Sequence, residues 1–210
     1  MDIFYILKKT GALITDNHFV LTSGRHTSTY LNKDAVYPHT EEASAVGMLF
    51  AEKFKDFPID MVVAPALGGI VLSQWTAHYL SKLKHKEILG LYTEKTLEAN
   101  QIFRRGYGKL VGGKNVLVVE DFTTTGGSVK KVIKSILEHG GNVVAVGVMV
   151  NRDPLHVNSI SIGAPFYSLG ELFVESYNET DCLLCKKGIA INTDVGHGKQ
   201  FLEGKKHLST

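Results

Sequence analysis

The apolar positions change their period several times along the chain. Val116 to Val119 is an unbroken apolar run with β-branched residues, and Met61 to Ala64 and Asn142 to Val150 are similar. Runs of this kind, bounded by turn residues, predict strands buried on both faces, as in a parallel sheet. Between them the period becomes helical. Val129, Val132, Ile133, Ile136 and Leu137 share one face, and so do Ala43, Val46, Phe50 and Phe54. Val71, Trp75 and Tyr79 recur at spacing four. Thr40 is placed to cap the helix of Ala43 and Phe50, with Glu41 and Glu42 in its first turn. Ile3, Ile6, Leu7 and Leu13 predict a short amphipathic helix ending near Gly11. Further short strands are expected at Phe19 to Leu21, Tyr30 to Leu31, Glu87 to Tyr92, Ile102 to Tyr107, Ser159 to Ile162 and Phe166 to Leu169. Alternating strands and helices predict an α/β fold, a largely parallel five-stranded sheet flanked by helices.

Two of the expected strands run directly into a glycine-bearing turn and then a helix. The first such turn is Pro65 to Ile70, reading P-A-L-G-G-I. The second follows Val119 and reads E-D-F-T-T-T-G-G-S, Glu120 to Ser128. First-turn amides of a helix lack intrahelical partners, and the helix dipole adds partial positive charge there. Glycines permit close approach, while threonine and serine hydroxyls add donors. Thr123, Thr124, Thr125, Gly126, Gly127 and Ser128 thus form a seat for a phosphate group. The acids Glu120 and Asp121 then face a group rich in donors, such as sugar hydroxyls or a metal. A phosphorylated sugar meets both requirements. A Walker loop would need Lys after its last Gly, where Ser128 and Val129 stand, and no dinucleotide G-x-G-x-x-G is present. Two such turns at the carboxyl ends of parallel strands face one crevice, so Ala66, Leu67, Gly68 and Gly69 are suited to a second anion.

Composition narrows the class. The chain has 210 residues, 44% hydrophobic and 21% charged, with a net charge of +2. This is ordinary globular composition with no bias towards nucleic acid or membrane. No apolar run reaches bilayer length, and M-D-I-F-Y-I-L-K-K lacks the features of a signal peptide. The two cysteines form one C-x-x-C, Cys182 and Cys185. One such pair does not close a tetrahedral zinc site by itself, and its late, irregular segment suggests packing or a surface turn. A cytoplasmic location is expected, because no disulfide framework is evident.

The stretch V-L-V-V-E-D-F-T-T-T-G-G-S resembles the phosphoribosyl pyrophosphate (PRPP) motif of the type I phosphoribosyltransferases. The resemblance covers nearly the whole chain and is nearest to the orotate phosphoribosyltransferases. Supporting pieces are S-G-R-H-T-S-T-Y-L-N-K from Ser23 to Lys33, R-R-G at Arg104 to Gly106, N-R-D-P at Asn151 to Pro154, and C-L-L-C-K-K-G-I. It implies one phosphoribosyltransferase domain, with a core of about 40–165 and a small hood from 1–39 and 166–210. It also implies a homodimer and transfer of ribose 5-phosphate from PRPP to orotate, giving orotidine 5′-monophosphate and pyrophosphate. Magnesium accompanies PRPP and is held mainly by substrate oxygens, with no set of protein side chains assigned to a metal.

By this resemblance Glu120 and Asp121 bind the ribose hydroxyls, Thr123 to Ser128 the 5′-phosphate, and Ala66 to Gly69 the pyrophosphate. Lys95 stands before a flexible loop, as a catalytic cation for pyrophosphate. Arg152 meets the orotate carboxylate, a bidentate match. Thr124 also contacts the base, and Tyr30 suits stacking on the pyrimidine or plain packing in the core. Thr93 to Gln101, with its flanking strands, resembles a mobile flap. Some positions depart from the family pattern. Thr22 and Gly68 stand where many relatives carry Lys, Glu94-Lys95 replaces Arg-Lys, and the loop Thr96 to Gln101 is shortened. Arg104, Arg105 or a neighbouring subunit would then supply the missing charge. Transfer to a purine or other base, and PRPP sensing without turnover, remain alternatives.

Overall fold

The computed structural model describes residues 2–208. In chain order the elements are α1 (Ile3–Lys9), β1 (Leu13–Ile14), β2 (Phe19–Val20), β3 (His26–Thr27), β4 (Tyr30–Leu31), α2 (Thr40–Phe54), β5 (Met61–Pro65) and α3 (Gly68–Lys84). Then follow β6 (Leu89–Lys95), β7 (Gln101–Ile102), β8 (Asn115–Thr123), α4 (Gly127–Glu138), β9 (Asn142–Asn151), α5 (Ser159–Ile162), β10 (Phe166–Glu171), α6 (Leu183–Lys186) and α7 (Gly198–Leu208). The chain forms two compact units, Met1–Ile6 with Lys33–Phe173, and Leu7–Asn32 with Val174–Thr210.

The first unit is built on a sheet of order β10-β9-β8-β5-β6-β7. The first five strands in that order are mutually parallel, as the apolar runs predict. A sixth strand, the two-residue β7, adds antiparallel to β6. Both faces of the central strands are apolar, which explains why the runs are continuous rather than alternating. Met61, Val63, Val116, Val118, Val146 and Val148 pack beneath α4 through Val129, Val132, Ile133 and Ile136. On β9, Gly147 lies against the rings of Phe50 and Phe54 from α2. Its neighbour in register is Val119 of β8.

The strand order reverses direction between β5 and β8. From β5 the chain steps outward to β6, and from β8 it steps the other way to β9 and β10. In an open α/β sheet such a switch point leaves a crevice at the carboxyl ends of the two strands. Here those ends are Pro65 and Thr123, so both sequence-predicted turns leave the sheet side by side.

Three local expectations are corrected. Ser159 to Ile162 is a helical turn rather than a strand, because Asn158 and Ser161 form a capping box. The Asn158 side chain accepts from the amides of Ile160 and Ser161 (both 3.1 Å), and the Asn158 amide donates to Ser161 Oγ (3.0 Å). Thr40 is the first helical residue of α2, with His39 in the cap position and no side-chain cap bond. Of Ile102 to Tyr107 only Ile102 is in a strand, and Tyr107–Leu110 is a 3-10 turn.

The second unit contains two short antiparallel ladders, β1 with β4 and β2 with β3. The late segment is joined to them by backbone bonds. His26 and Tyr177 exchange amide–carbonyl bonds of 2.8 Å each way, the Asn192 amide donates to His18 O (2.7 Å), and the His197 amide to Val20 O (2.9 Å). Arg25 fixes the same join, donating from Nε to Ser176 Oγ (2.9 Å) and from a terminal nitrogen to Asn178 Oδ1 (3.1 Å).

Gly147 provides a test of the packing. A Cβ there would sit 2.6 Å from Phe54 and 3.1 Å from Phe50, both ring atoms. Gly147→Ala is expected to destabilise the chain by about 1–3 kcal/mol, the usual cost of overpacking. Urea unfolding checks this, and an unchanged midpoint would contradict the close α2–β9 approach.

Candidate active site

β8 carries Glu120, Asp121 and Thr123 into the crevice, and all three are buried. Two adjacent carboxylates in a sheet core are unfavourable unless their charge is compensated or suppressed. Asp121 is compensated. Its Oδ2 accepts from the Tyr37 hydroxyl (3.1 Å) and lies 3.3 Å from Lys33 Nζ, and its Oδ1 accepts from the Phe122 amide (2.6 Å). The Glu120 carboxyl group accepts a 3.1 Å bond from the Asp121 amide, and its charge is suppressed instead. Burial, then the neighbouring Asp121 charge, hold its pKa well above the usual carboxylate range. Burial opposes the Lys33 ammonium, but Asp121, with Glu120 and Asp34, outweighs this and raises the Lys33 pKa. Burial and the Asp121 charge also push the Tyr37 hydroxyl up, keeping it a donor.

The turn after β8 is shaped by two features. Thr123 Oγ1 accepts from the Gly126 amide (2.9 Å), closing the loop on itself. Gly126 has φ of 71°, and a Cβ there would meet Ile162 at 2.3 Å, so the position requires glycine. The α4 amides then open towards a cavity of about 170 Å³ lined by Thr123 to Val129. Thr124 and Thr125 are exposed on its wall.

The turn after β5 comes close to the acids. Gly68 leaves its Cα hydrogen where a Cβ would lie 2.7 Å from Asp121 Oδ2 and 2.8 Å from the Tyr37 hydroxyl. The Ala66–Leu67 peptide is cis, and the Ala66 amide donates to Thr93 O (2.8 Å). A second cavity, of about 300 Å³, is lined by Ala66, Leu67 and Gly68 on one side and by Glu120, Asp121 and Ser128 on the other. Lys33, Lys95 and Lys131 also line it.

The site thus brings together the acids, both turns and Lys95. Sequence reasoning missed Lys131 and the pairing of Lys33 and Tyr37 with Asp121. Lys131 lies one turn into α4 and donates to Ala99 O (2.6 Å), at the tip of the β6–β7 hairpin. Arg104 and Arg105, expected as replacement cations, sit on Glu94 instead, at 3.8 Å and 2.9 Å. Arg105 lines a neighbouring pocket together with Ala66, Leu67 and Lys95. Arg152 follows β9, and its amide donates to Thr123 O (2.8 Å), which fixes it beside the β8 turn. Asp153, the expected alternative partner of Arg152, is engaged by His156 Nδ1 at 2.8 Å. Tyr30 belongs to the second unit, where it packs on Phe19 with ring centroids 5.3 Å apart.

Residues 32–157 match the phosphoribosyl transferase domain family. The chain is 40% identical to an orotate phosphoribosyltransferase of Thermotoga maritima, over 88% of this chain and 92% of that one. It is 38% identical to an orotate phosphoribosyltransferase of a Thermoanaerobacter species, over 90% and 94%. Among solved structures, orotate phosphoribosyltransferase from Aeropyrum pernix superposes with a TM-score of 0.58 at 25% identity, covering 88% of this chain and 97% of that one. The chain belongs to the phosphoribosyltransferases, and its curated relatives place it in the orotate phosphoribosyltransferase family.

The suppressed charge of Glu120 gives a pH test. Well below the carboxylate range Glu120 is protonated in folded and unfolded chains alike. As pH rises, the unfolded chain releases the proton first, so the folded chain binds more protons and stability falls until folded Glu120 ionises. Glu120→Gln lacks this loss. Unfolding at a series of pH values should show the variant gaining on the wild type as pH rises from acid through the carboxylate range. Parallel profiles would contradict the buried, protonated Glu120.

Proposed function

We infer that this chain transfers ribose 5-phosphate from PRPP to orotate, giving orotidine 5′-monophosphate and pyrophosphate for pyrimidine nucleotide synthesis. The observation that carries this is a cavity lined by Ala66 to Gly68, both acids and three lysines, which shares Glu120, Phe122 and Ser128 with the cavity of the β8 turn. The β8 turn and the first amides of α4 hold the 5′-phosphate. Glu120 and Asp121 accept from the ribose hydroxyls, and the Asp121 charge favours positive charge developing at C1, as in other glycosyl transfers. Ala66 to Gly69 seat the pyrophosphate, while Lys33, Lys95 and Lys131 neutralise it as the C1–O bond breaks. Orotate N1 then forms the new bond to C1, and its proton leaves to the departing pyrophosphate. Arg152 pairs with the orotate carboxylate, and Thr124 reaches the same end of the site.

Magnesium fits this donor set, since carboxylate and phosphate oxygens are the ligands it prefers. When bound with PRPP it supplies charge neutralisation at the leaving group. We further propose a cytoplasmic homodimer; no helix among the described residues is long and apolar enough to cross a membrane.

Turnover with PRPP, magnesium and orotate is expected, with purine bases inert. Lys131→Ala should raise KM for PRPP about tenfold or more, since a charge-assisted hydrogen bond is worth about 1.5–3 kcal/mol. Arg152→Lys should raise KM for orotate and leave KM for PRPP unchanged. PRPP binding without turnover on any base would favour the sensing alternative over the enzyme.

A further inference from the structure

The second unit holds a cluster that the transfer reaction does not use. His18, His26, Cys182 and Cys185 converge so that one ligand atom from each lies within 4.8 Å of all the others. Cys182 Sγ and Cys185 Sγ are each 3.7 Å from His18 Nε2, and Cys185 Sγ is 3.4 Å from His26 Nδ1. The two imidazole nitrogens are 2.7 Å apart. Neither cysteine is in a disulfide.

We propose that these four side chains form a structural zinc site, which goes beyond the transferase reading and does not rest on it. Zinc bonds of about 2.3 Å to sulfur and 2.0–2.1 Å to nitrogen, arranged tetrahedrally, place nitrogen and sulfur ligands about 3.5 Å apart. The three Cys–His separations match this. Tetrahedral nitrogens would stand about 3.3 Å apart, so the two imidazoles open by roughly half an ångström around an ion. A set of two sulfurs and two nitrogens in this geometry selects zinc over the hard cations.

The surroundings agree. His18 Nδ1 lies 2.7 Å from Ile189 O, which fixes the proton on Nδ1 and turns the Nε2 lone pair inward. Such a carbonyl is the usual outer partner of a metal-bound imidazole. His18, His26 and Cys182 are buried and Cys185 is half-buried, leaving no open coordination position for substrate. Phe201 covers His26 edge-on, with centroids 5.0 Å apart.

The site also answers a need of the fold. This unit's buried apolar side chains are few, chiefly Leu7, Ala12, Phe19, Val20 and Leu31. A core of that size rarely holds a small unit together without a staple. His18 precedes β2 and His26 opens β3 in the early segment, while Cys182 precedes α6 and Cys185 lies within it in the late one. One ion would tie the two segments together.

The test uses the full chain expressed without a histidine tag. Elemental analysis should find one zinc per chain. Removing it should lower the unfolding midpoint by several degrees, and adding zinc should restore it. Zinc should also slow thiol modification at Cys182 and Cys185, a readout that needs no variant. Cys182→Ser with Cys185→Ser, and separately His26→Gln, should lose the metal and the zinc-dependent shift. A chain that holds no zinc, takes none up, and exposes its thiols equally with and without zinc would overturn the proposal. So would equimolar iron in place of zinc.

Discussion

The end of β8 sets the terms for the rest of the first unit. A parallel sheet core admits a carboxylate only when something nearby offsets its lost hydration, and here two stand in succession. The offset is asymmetric. Lys33 and Tyr37 reach the Asp121 carboxylate, and Glu120 lies where burial and the Asp121 charge favour its protonated form. Gly68 is part of the same arrangement, since any side chain there would collide with Asp121 and Tyr37. The position is thus closed to a lysine by local packing, and the cations come from elsewhere. Lys33 precedes α2, Lys95 ends β6 and Lys131 lies on α4, so three separate elements bring charge to one cavity. A substrate with several anionic groups is the natural complement to that distribution. Its hydroxyl-bearing centre would sit where the two acids are.

Local patterns carried much of this into the sequence. The β8 turn and α4 were legible because strand, hydroxyl-rich turn and helix start are contiguous, and each has its own signature. The five parallel strands were legible because burial on both faces leaves no polar alternation. Ser159 to Ile162 was misread because S-I-S-I alternates like a strand, whereas Asn158 and Ser161 decide the matter through capping. Lys131 was illegible for another reason. On α4 it is one exposed lysine among several, and only the placement of the β6–β7 tip shows that it faces the cavity. The four-residue cluster of the second unit was hidden by distance in sequence. Cys185 and His18 are 167 positions apart, and neither C-x-x-C nor two scattered histidines announces a ligand set.

The two units are stabilised by different means. The first has a deep apolar core on both sides of its sheet, and its functional groups lie at the rim of that core. The second has short ladders, a small core and many bonds from backbone or Arg25 to its late segment. Such a unit gains most from a cross-link between its two chain segments. The cysteine pair, read alone as packing, takes on that role only once the fold brings His18 and His26 to it.

The most direct measurement is a structure of the chain crystallised with PRPP. The ribose hydroxyls should lie on the carboxylates of Glu120 and Asp121, with the 5′-phosphate on the amides after Thr123 and the pyrophosphate against Ala66 to Gly69. PRPP bound elsewhere, or with its ribose turned away from the β8 acids, would contradict the reading of this crevice.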